Sequence, residues 1–311
     1  MKIIFFGSAD FGIPCLDYLK ETYELIAVIT NPDRPKGRHL KLQSTPIKQW
    51  AEKTGIRIFQ PEDLSAQDFI ETLKFLNSDM IILISYGKIL PREILDVPGI
   101  GAFNLHPSLL PEYRGAAPIE WTLVNGENRT GITVIKMEKG VDKGNIIIQE
   151  EIPVENTDNY YTLKEKLMEK SSEILGDAIE KISSGFAGFP QKGKSSYAPR
   201  LKKEDGHIRW ANDASIIHNL VRGLIHWPGA FSELMSAKGK KILKLKETEI
   251  EKHEGVYGVP GSFISIDNSI KVACGKGIIR LKRLQTEGKK EMSSEEFLHG
   301  YSAYLRNSIL R

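Results

Sequence analysis

The chain of 311 residues has only two cysteines, Cys15 and Cys274. Standing so far apart, they offer neither a disulfide framework nor a zinc cluster. No run approaches the ~18 consecutive apolar residues of a membrane helix, so no membrane association is expected. The opening Met1-Lys2-Ile3-Ile4-Phe5-Phe6 turns polar at Gly7-Ser8-Ala9-Asp10, too soon for the apolar core of a signal peptide, and a cytoplasmic protein is expected. Nucleotide and hydrolase signatures are missing too. Gly7-Ser8-Ala9-Asp10-Phe11-Gly12 follows the first apolar run, but Ala9 breaks G-x-G-x-x-G and Ile13-Pro14 replaces the Lys-Ser/Thr of a phosphate loop. Neither G-x-S-x-G nor H-E-x-x-H occurs. Bound NAD, ATP and metal are therefore not expected.

What is present is ordinary in bulk, with 41% hydrophobic and 27% charged residues, but uneven in charge. Residues 191–311 carry a net +9 and residues 1–190 a net −6. Inside the acidic part, residues 31–48 hold Arg34, Lys36, Arg38, Lys41 and Lys48 against one acid, Asp33. Any one such cluster reads as a solvated surface. Two basic surfaces on an otherwise acidic chain point to a large polyanion as partner.

The first half alternates strand-like and helix-like segments. Lys2–Phe6, Leu25–Thr30, Ile56–Phe59, Met80–Ser85 and Gly101–Leu105 read as strands, and Thr133–Met137 and Ile146–Gln149 as edge strands around a loop. Strand, helix, strand at these intervals predicts a mostly parallel sheet with crossover helices. Thr162–Ile182 has helical spacing in Leu163, Leu167, Ile174, Leu175, Ile179 and Ile182. Beyond Ser183 comes an aperiodic stretch rich in Gly, Ser, Lys and Pro, then a short helix and closely spaced short strands with glycine turns. These predict an α/β domain of Rossmann type over 1–189, a basic linker over 190–205, and a small β-rich barrel of OB type over 206–311, with a sandwich as the alternative.

The stretch Asn104-Leu105-His106-Pro107-Ser108-Leu109-Leu110-Pro111-Glu112-Tyr113-Arg114-Gly115 begins where a strand ends. Ligands of open α/β sheets bind at the carboxyl ends of strands. Strand periodicity puts Asn104 and His106 on one face, and two such donors suit a carbonyl that becomes an oxyanion on nucleophilic attack. Asp142, between Gly140 and Gly144, would favour the charged, donating form of His106 if it reached the ring. An Asn/His/Asp set without Ser or Cys argues for direct transfer to an incoming nucleophile. A histidine beside proline also serves as a loop cap, and aspartate between glycines as a turn residue, so spacing leaves both readings open.

The motif Asn104-x-His106-Pro-Ser-Leu-Leu-Pro111-x-Tyr-Arg-Gly115 with Asp142 resembles that of the 10-formyltetrahydrofolate-dependent formyltransferases. Phe5-Phe6-Gly7-Ser8-Ala9-Asp10-Phe11 is similar to the family's opening F-x-G-T-P-D-F. Asn31-Pro-Asp-Arg-Pro-Lys-Gly-Arg38 and Ser85-Tyr86-Gly87-Lys88-Ile89-Leu90-Pro91 resemble loops of the branch acting on methionyl-tRNA. Tyr197-Ala-Pro, Lys203-Glu204-Asp205-Gly206, Ile208-x-Trp210 and Gly288-Lys289-Lys290-x-Met292 resemble its C-terminal domain. Ser8-Ala9 departs from the usual Thr-Pro, Pro107 from a frequent Gly, and His39-Leu40 interrupts the small and basic residues of the tRNA-contacting loop.

The resemblance implies a catalytic set of Asn104, His106 and Asp142. It implies a folate site of Ser108, Leu109, Leu110 and Pro111 with Tyr86, Gly87, Ile89 and Leu90. It also implies tRNA contacts by Arg34, Lys36, Arg38, Lys41, Lys202 and Lys203. The implied reaction is formyl transfer from 10-formyltetrahydrofolate, as co-substrate, to initiator methionyl-tRNA by a monomer. Alternatives are a formyltransferase for a nucleotide-linked amino sugar, for which the basic 31–48 loop would have little purpose, or for glycinamide ribonucleotide, which leaves the second domain unexplained. A tRNA-binding protein with a disabled catalytic domain is the non-enzymatic alternative, and the intact Asn/His/Asp set counts against it.

Overall fold

A strand whose every position is apolar needs cover on both faces. Met80–Ile84 is buried at all five positions and forms the middle strand of a seven-stranded sheet. The computed structural model describes residues 1–36, 41–236, 239–266, 269–305 and 308–311.

In chain order, β1 (Lys2–Gly7) leads through α1 (Ile13–Thr22) to β2 (Glu24–Ile29). A hairpin follows, β3 (Arg34–Lys36) and β4 (Lys41–Gln43), then α2 (Pro46–Thr54), β5 (Ile58–Phe59), α3 (Gln67–Leu76), β6 (Met80–Ile84) and α4 (Arg92–Leu95). Next come β7 (Gly101–His106), β8 (Arg114–Gly115), α5 (Pro118–Val124), β9 (Arg129–Lys136), β10 (Ile146–Pro153), α6 (Tyr160–Ser183) and β11 (Tyr197–Ala198). Local chemistry explains the boundaries. α2 starts at Thr45, whose hydroxyl accepts from Lys48 N–H, has Pro46 in its first turn and stops at Gly55 with φ +72°.

The sheet runs β10-β9-β7-β6-β1-β2-β5. β5, β2, β1, β6 and β7 are parallel, and β9 and β10 are antiparallel to their neighbours. This is the expected mostly parallel α/β sheet. One expectation needs correction: the strand containing Thr133 is not an edge strand. β9 lies between β7 and β10 and is buried from Thr130 to Ile135; β10 is the edge. The chain proceeds outward from β1 through β2 to β5, then returns to the other side of β1 with β6. That reversal makes the carboxyl ends of β1 and β6 the topological switch point.

The second half holds α7 (Ala214–Gly223), β12 (Ala230–Ser236), β13 (Gly239–Lys252), β14 (Phe263–Ser265), β15 (Ile270–Ala273), β16 (Ile278–Thr286), β17 (Met292–Ser293), α8 (Ser294–Leu305) and β18 (Ser308–Leu310). Its antiparallel sheet runs β14-β15-β16-β13-β12-β18. Ser262 bridges Ile309, and Leu310 N–H donates to Gly261 O at 3.0 Å, which brings the two edges together. The result is the small β-rich barrel expected. Closure leaves few unpaired edge groups. Its core includes Trp210, Ile217, Val221, Leu245, Val272, Leu281 and Phe297.

The chain divides into two compact units, residues 1–116, 129–153 and 164–198 in one, and 117–128, 154–163 and 199–311 in the other. In the second unit α5 packs against α7.

Candidate active site

Period-two alternation in β7 puts Asn104 and His106 on the same face, opposite Ile135 and Thr133 of β9. Both are buried polar residues, 8% and 4% exposed, so each needs partners. Asn104 Nδ2 donates to Asp142 Oδ1 at 3.1 Å. His106 Nε2 lies 2.9 Å from Tyr113 O. A carbonyl only accepts, so Nε2 carries the hydrogen. His106 Nδ1 then faces Asp142 Oδ2 at 3.6 Å. The three residues that sequence spacing singled out are thus brought together.

Asp142 arrives on the loop between β9 and β10. It adopts φ +50°, with Gly140 at +114°. Gly144 packs so closely that a Cβ there would lie 1.6 Å from Lys136 O. Asp142 Oδ2 accepts the Gly115 N–H at 2.8 Å. One carboxylate therefore draws together the end of β7, β8 and this loop.

Two residues that the sequence did not single out complete the arrangement. Gln191 Nε2 donates to Asp142 O at 2.8 Å and Gly144 O at 2.9 Å. Arg114 Nη2 donates to Gln191 Oε1 at 2.6 Å. No local pattern marks Gln191, which lies in an aperiodic stretch; Arg114 was visible as part of the motif but without a role.

The turn after β7 is bound internally. Ser108 Oγ donates to Glu112 O at 2.6 Å, and Thr133 Oγ1 donates to Ser108 O at 2.6 Å. Gln149 Nε2 donates to Leu110 O at 2.9 Å. Ser108 is fully buried and Leu110 packs with Ile135 and Ile146.

A cavity of about 480 Å³ opens beside the cluster. Asn104 and Asp142 line it, with Leu83, Ile89, Leu90, Leu95, Met137 and Val141 as apolar wall and Lys88, Arg92, Lys136 and Lys139 as cations. Of the expected folate residues, Ile89 and Leu90 line this cavity. Ser108, Leu109, Leu110, Pro111, Tyr86 and Gly87 are not among its lining. Tyr86 is buried against Phe6, ring edge to face at 5.3 Å, and burial pushes its phenol up to about 12. Its carbonyl accepts from Asn31 Nδ2 at 2.7 Å, which ties the Tyr86 loop to the loop after β2.

The expected tRNA residues fall in two places. Arg34, Lys36 and Lys41 belong to the β3–β4 hairpin, where Lys36 pairs with Lys41. Arg34 Nη2 meets Glu62 Oε2 at 2.6 Å with both side chains about two-thirds exposed. Arg38 lies outside the described residues. Lys202 and Lys203 are exposed, in the unit that contains the barrel. Among the described residues, no group of three or more His, Cys, Asp or Glu is placed to hold a metal ion, and no helix is long and apolar enough to cross a membrane.

Comparison with known proteins bears on the family and the fold. Residues 1–179 match the family model described as formyl transferase, and residues 200–302 the one described as formyl transferase, C-terminal domain. A protein of Thermodesulfovibrio yellowstonii named methionyl-tRNA formyltransferase is 44% identical over 300 residues, 96% of this chain and 95% of its own. One of the same name from Clostridium botulinum is 41% identical over 305 residues, 97% of each chain. Among solved structures, the sugar 3N-formyl transferase WlaRD, determined with dTDP and 5-N-formyl-THF, aligns with TM-score 0.66 at 20% identity over 93% of this chain and 99% of its own. The methionyl-tRNA formyltransferase of Clostridium thermocellum aligns with TM-score 0.54 at 20% identity, over 81% and 94%. At such identities the two structures speak to the fold alone, whereas both family models and the full-length relatives speak to descent. The chain belongs to the formyl transferase family.

Proposed function

We propose that this chain transfers the formyl group of 10-formyltetrahydrofolate to the free α-amino group of methionyl-initiator tRNA, giving N-formylmethionyl-tRNA for translation initiation. The observation that carries the reading is the cavity of about 480 Å³ whose lining includes Asn104 and Asp142 of the Asn/His/Asp cluster. A folded apolar wall beside convergent polar groups is what a small heterocyclic donor needs. The acceptor is read from the full-length relatives named methionyl-tRNA formyltransferase, and the basic hairpin and net +9 of residues 191–311 suit a polyanion. In this reading the chain works as a cytoplasmic monomer.

The donor supplies the formyl carbon. The amine lone pair forms a C–N bond to it, the carbonyl oxygen takes the displaced electron pair, and its return breaks the bond to N10, which leaves with a proton. Asn104 has two amide hydrogens; one is given to Asp142, and the second serves the oxyanion. His106, with Nε2–H committed to Tyr113 O, turns its Nδ1 edge toward Asp142 Oδ2 at 3.6 Å and the reacting carbonyl. Asp142 accepts the proton lost by the amine, directly or through water, and that proton passes on to the departing N10. Loss of one oxyanion donor typically costs ~2.7–4 kcal/mol of barrier. Ile89 and Leu90 hold the folate within the cavity, and the internally bound Ser108–Pro111 turn stands outside its lining. Arg34, Lys36, Arg38 and Lys41 meet the tRNA acceptor end, and Lys202 and Lys203 its backbone.

The test is formyl transfer from 10-formyltetrahydrofolate to methionyl-initiator tRNA, with a dTDP-linked amino sugar as parallel acceptor. Rapid formylation of the tRNA alone supports the proposal. Formylation of the sugar alone assigns the enzyme to the other acceptor and demotes the basic hairpin to a solvated turn. Tight tRNA binding without any transfer makes the chain a binding protein.

A further inference from the structure

Asp142 stands on a loop with little support of its own. Among the described residues, the loop's backbone pairing is limited to a turn at Val141–Asp142. The Asp142 backbone holds φ +50°, a left-handed region uncommon outside glycine that aspartate tolerates better than most residues. Two hydrogen bonds hold it there from outside the loop. Gln191 Nε2 donates to Asp142 O at 2.8 Å and to Gly144 O at 2.9 Å, which fixes the main chain on both sides of Lys143.

Gln191 is itself held. Its Oε1 accepts from Arg114 Nη2 at 2.6 Å, so both ends of the amide are committed. The strip that carries it is stitched to the same unit: Phe189 and Ile146 exchange hydrogen bonds of 2.9 and 3.0 Å, Arg114 N–H donates to Ser196 O at 3.0 Å, and Tyr197–Ala198 pairs with Arg114–Gly115. Asp142 is thereby gripped twice from neighbouring residues. Gly115 N–H binds its carboxylate at 2.8 Å, and Arg114 secures the glutamine that binds its main chain. A donor that bridges two carbonyls of a loop held otherwise by one turn and one carboxylate contact sets where the loop's functional carboxylate lies.

We propose that Gln191 is a positioning residue that fixes Asp142 in its reactive place by bridging Asp142 O and Gly144 O. The proposal rests on the catalytic reading of Asp142, so its test includes a measurement that needs no reaction. Two variants separate the possibilities. Gln191→Ala removes both donors and the acceptor. Gln191→Glu keeps the acceptor for Arg114 but has no hydrogen for the two carbonyls at neutral pH.

Limited tryptic cleavage after the exposed Lys139 and Lys143 is measured in wild type and both variants, together with kcat and KM for each substrate. Cleavage there is expected to quicken about tenfold in both variants while the rest of the unit is cut no faster. Turnover should fall by up to about 10²-fold, the scale of an ångström misplacement, with KM for tRNA unchanged. In an Asp142→Asn background, Gln191→Ala should cost less than about twofold more, because it acts through a carboxylate no longer there. Unchanged cleavage at both lysines in both variants would overturn the proposal. So would full turnover in Gln191→Glu, which would reduce Gln191 to a partner for Arg114, or an undiminished loss in the Asp142→Asn background. If the wild-type chain formylates no acceptor, the functional reading fails, and the cleavage result alone decides whether Gln191 holds the loop.

Discussion

The backbone N–H of Gly115 donates to the carboxylate of Asp142 at 2.8 Å, joining residues 27 positions apart. Gly115 can do so because it adopts φ +120°, and a Cβ there would lie 2.7 Å from Ala198 O. Gly115→Ala therefore meets both backbone strain and a fixed carbonyl. The expected outcome is a loss of about 1–3 kcal/mol in stability together with a fall in kcat, since the N–H must move away from the carboxylate. Urea unfolding and saturating-substrate kinetics check the two separately. A variant as stable and as fast as wild type would show that the Gly115 contact is dispensable.

Asn104, His106 and Asp142 form one cluster but make different contacts, which separates their variants. Asn104→Ala removes a donor to the developing oxyanion and should cut kcat by about 10²–10³-fold. His106→Ala and Asp142→Ala should lower turnover far more than they weaken tRNA binding, because neither residue belongs to the basic surfaces. Single-turnover formylation alongside filter binding of the tRNA reads this directly. Equal losses in both assays would make the cluster part of tRNA recognition.

How much of this was readable in the sequence varies with the range of the interaction. The strand through Asn104 and His106 was legible because an apolar period of two places both on one face. Asp142 was legible because flanking glycines announce a tight loop. Gln191 was not: its partners Asp142 and Arg114 lie 49 and 77 positions away, and no local pattern reports such a contact. The strand through Thr133 reads as an edge because sequence specifies neighbours along the chain better than neighbours across a sheet, whereas β9 lies between β7 and β10. The hairpin of Arg34–Lys36 and Lys41–Gln43 was read as loop, since Pro35 and alternating cations carry no strand signal. α8 and β18 went unread for another reason. The helix Ser294–Leu305 buries Phe297, Leu298 and Leu305 against the barrel, a face that its interspersed polar and small residues conceal.

Arg34 offers a clean probe of the hairpin. Its pair with Glu62 is exposed on both sides, and such pairs contribute only about 0–1 kcal/mol to stability. Arg34→Ala should therefore leave unfolding unchanged while raising KM for tRNA at constant kcat. The dependence of tRNA binding on salt should flatten, with the slope of log K against log salt smaller by about one. Binding titrations across a salt series measure it. An unchanged slope would place Arg34 away from the phosphates.

The two cysteines yield a prediction about stability against pH. Burial pushes the thiols of Cys15 and Cys274 up to about 12, whereas an unfolded cysteine ionises near about 8.5. Between these values the unfolded chain loses thiol protons that the native chain retains. The stability that the protonated, buried thiols contribute is complete below the unfolded value. As pH rises toward 12 it declines by up to about 1.4 kcal/mol per pH unit for each thiol. Native protein at pH 8 should accordingly resist a disulfide-exchange reagent that labels both cysteines in urea. Tyr23 and Tyr86, also pushed up to about 12 by burial, add to the alkaline decline, so the comparison needed is with a Cys15→Ala/Cys274→Ala double variant. Its urea midpoint should fall less between pH 8 and 10.5 than that of the wild type. Parallel declines would show that the thiols ionise alike in both states and that their burial does not govern alkaline stability.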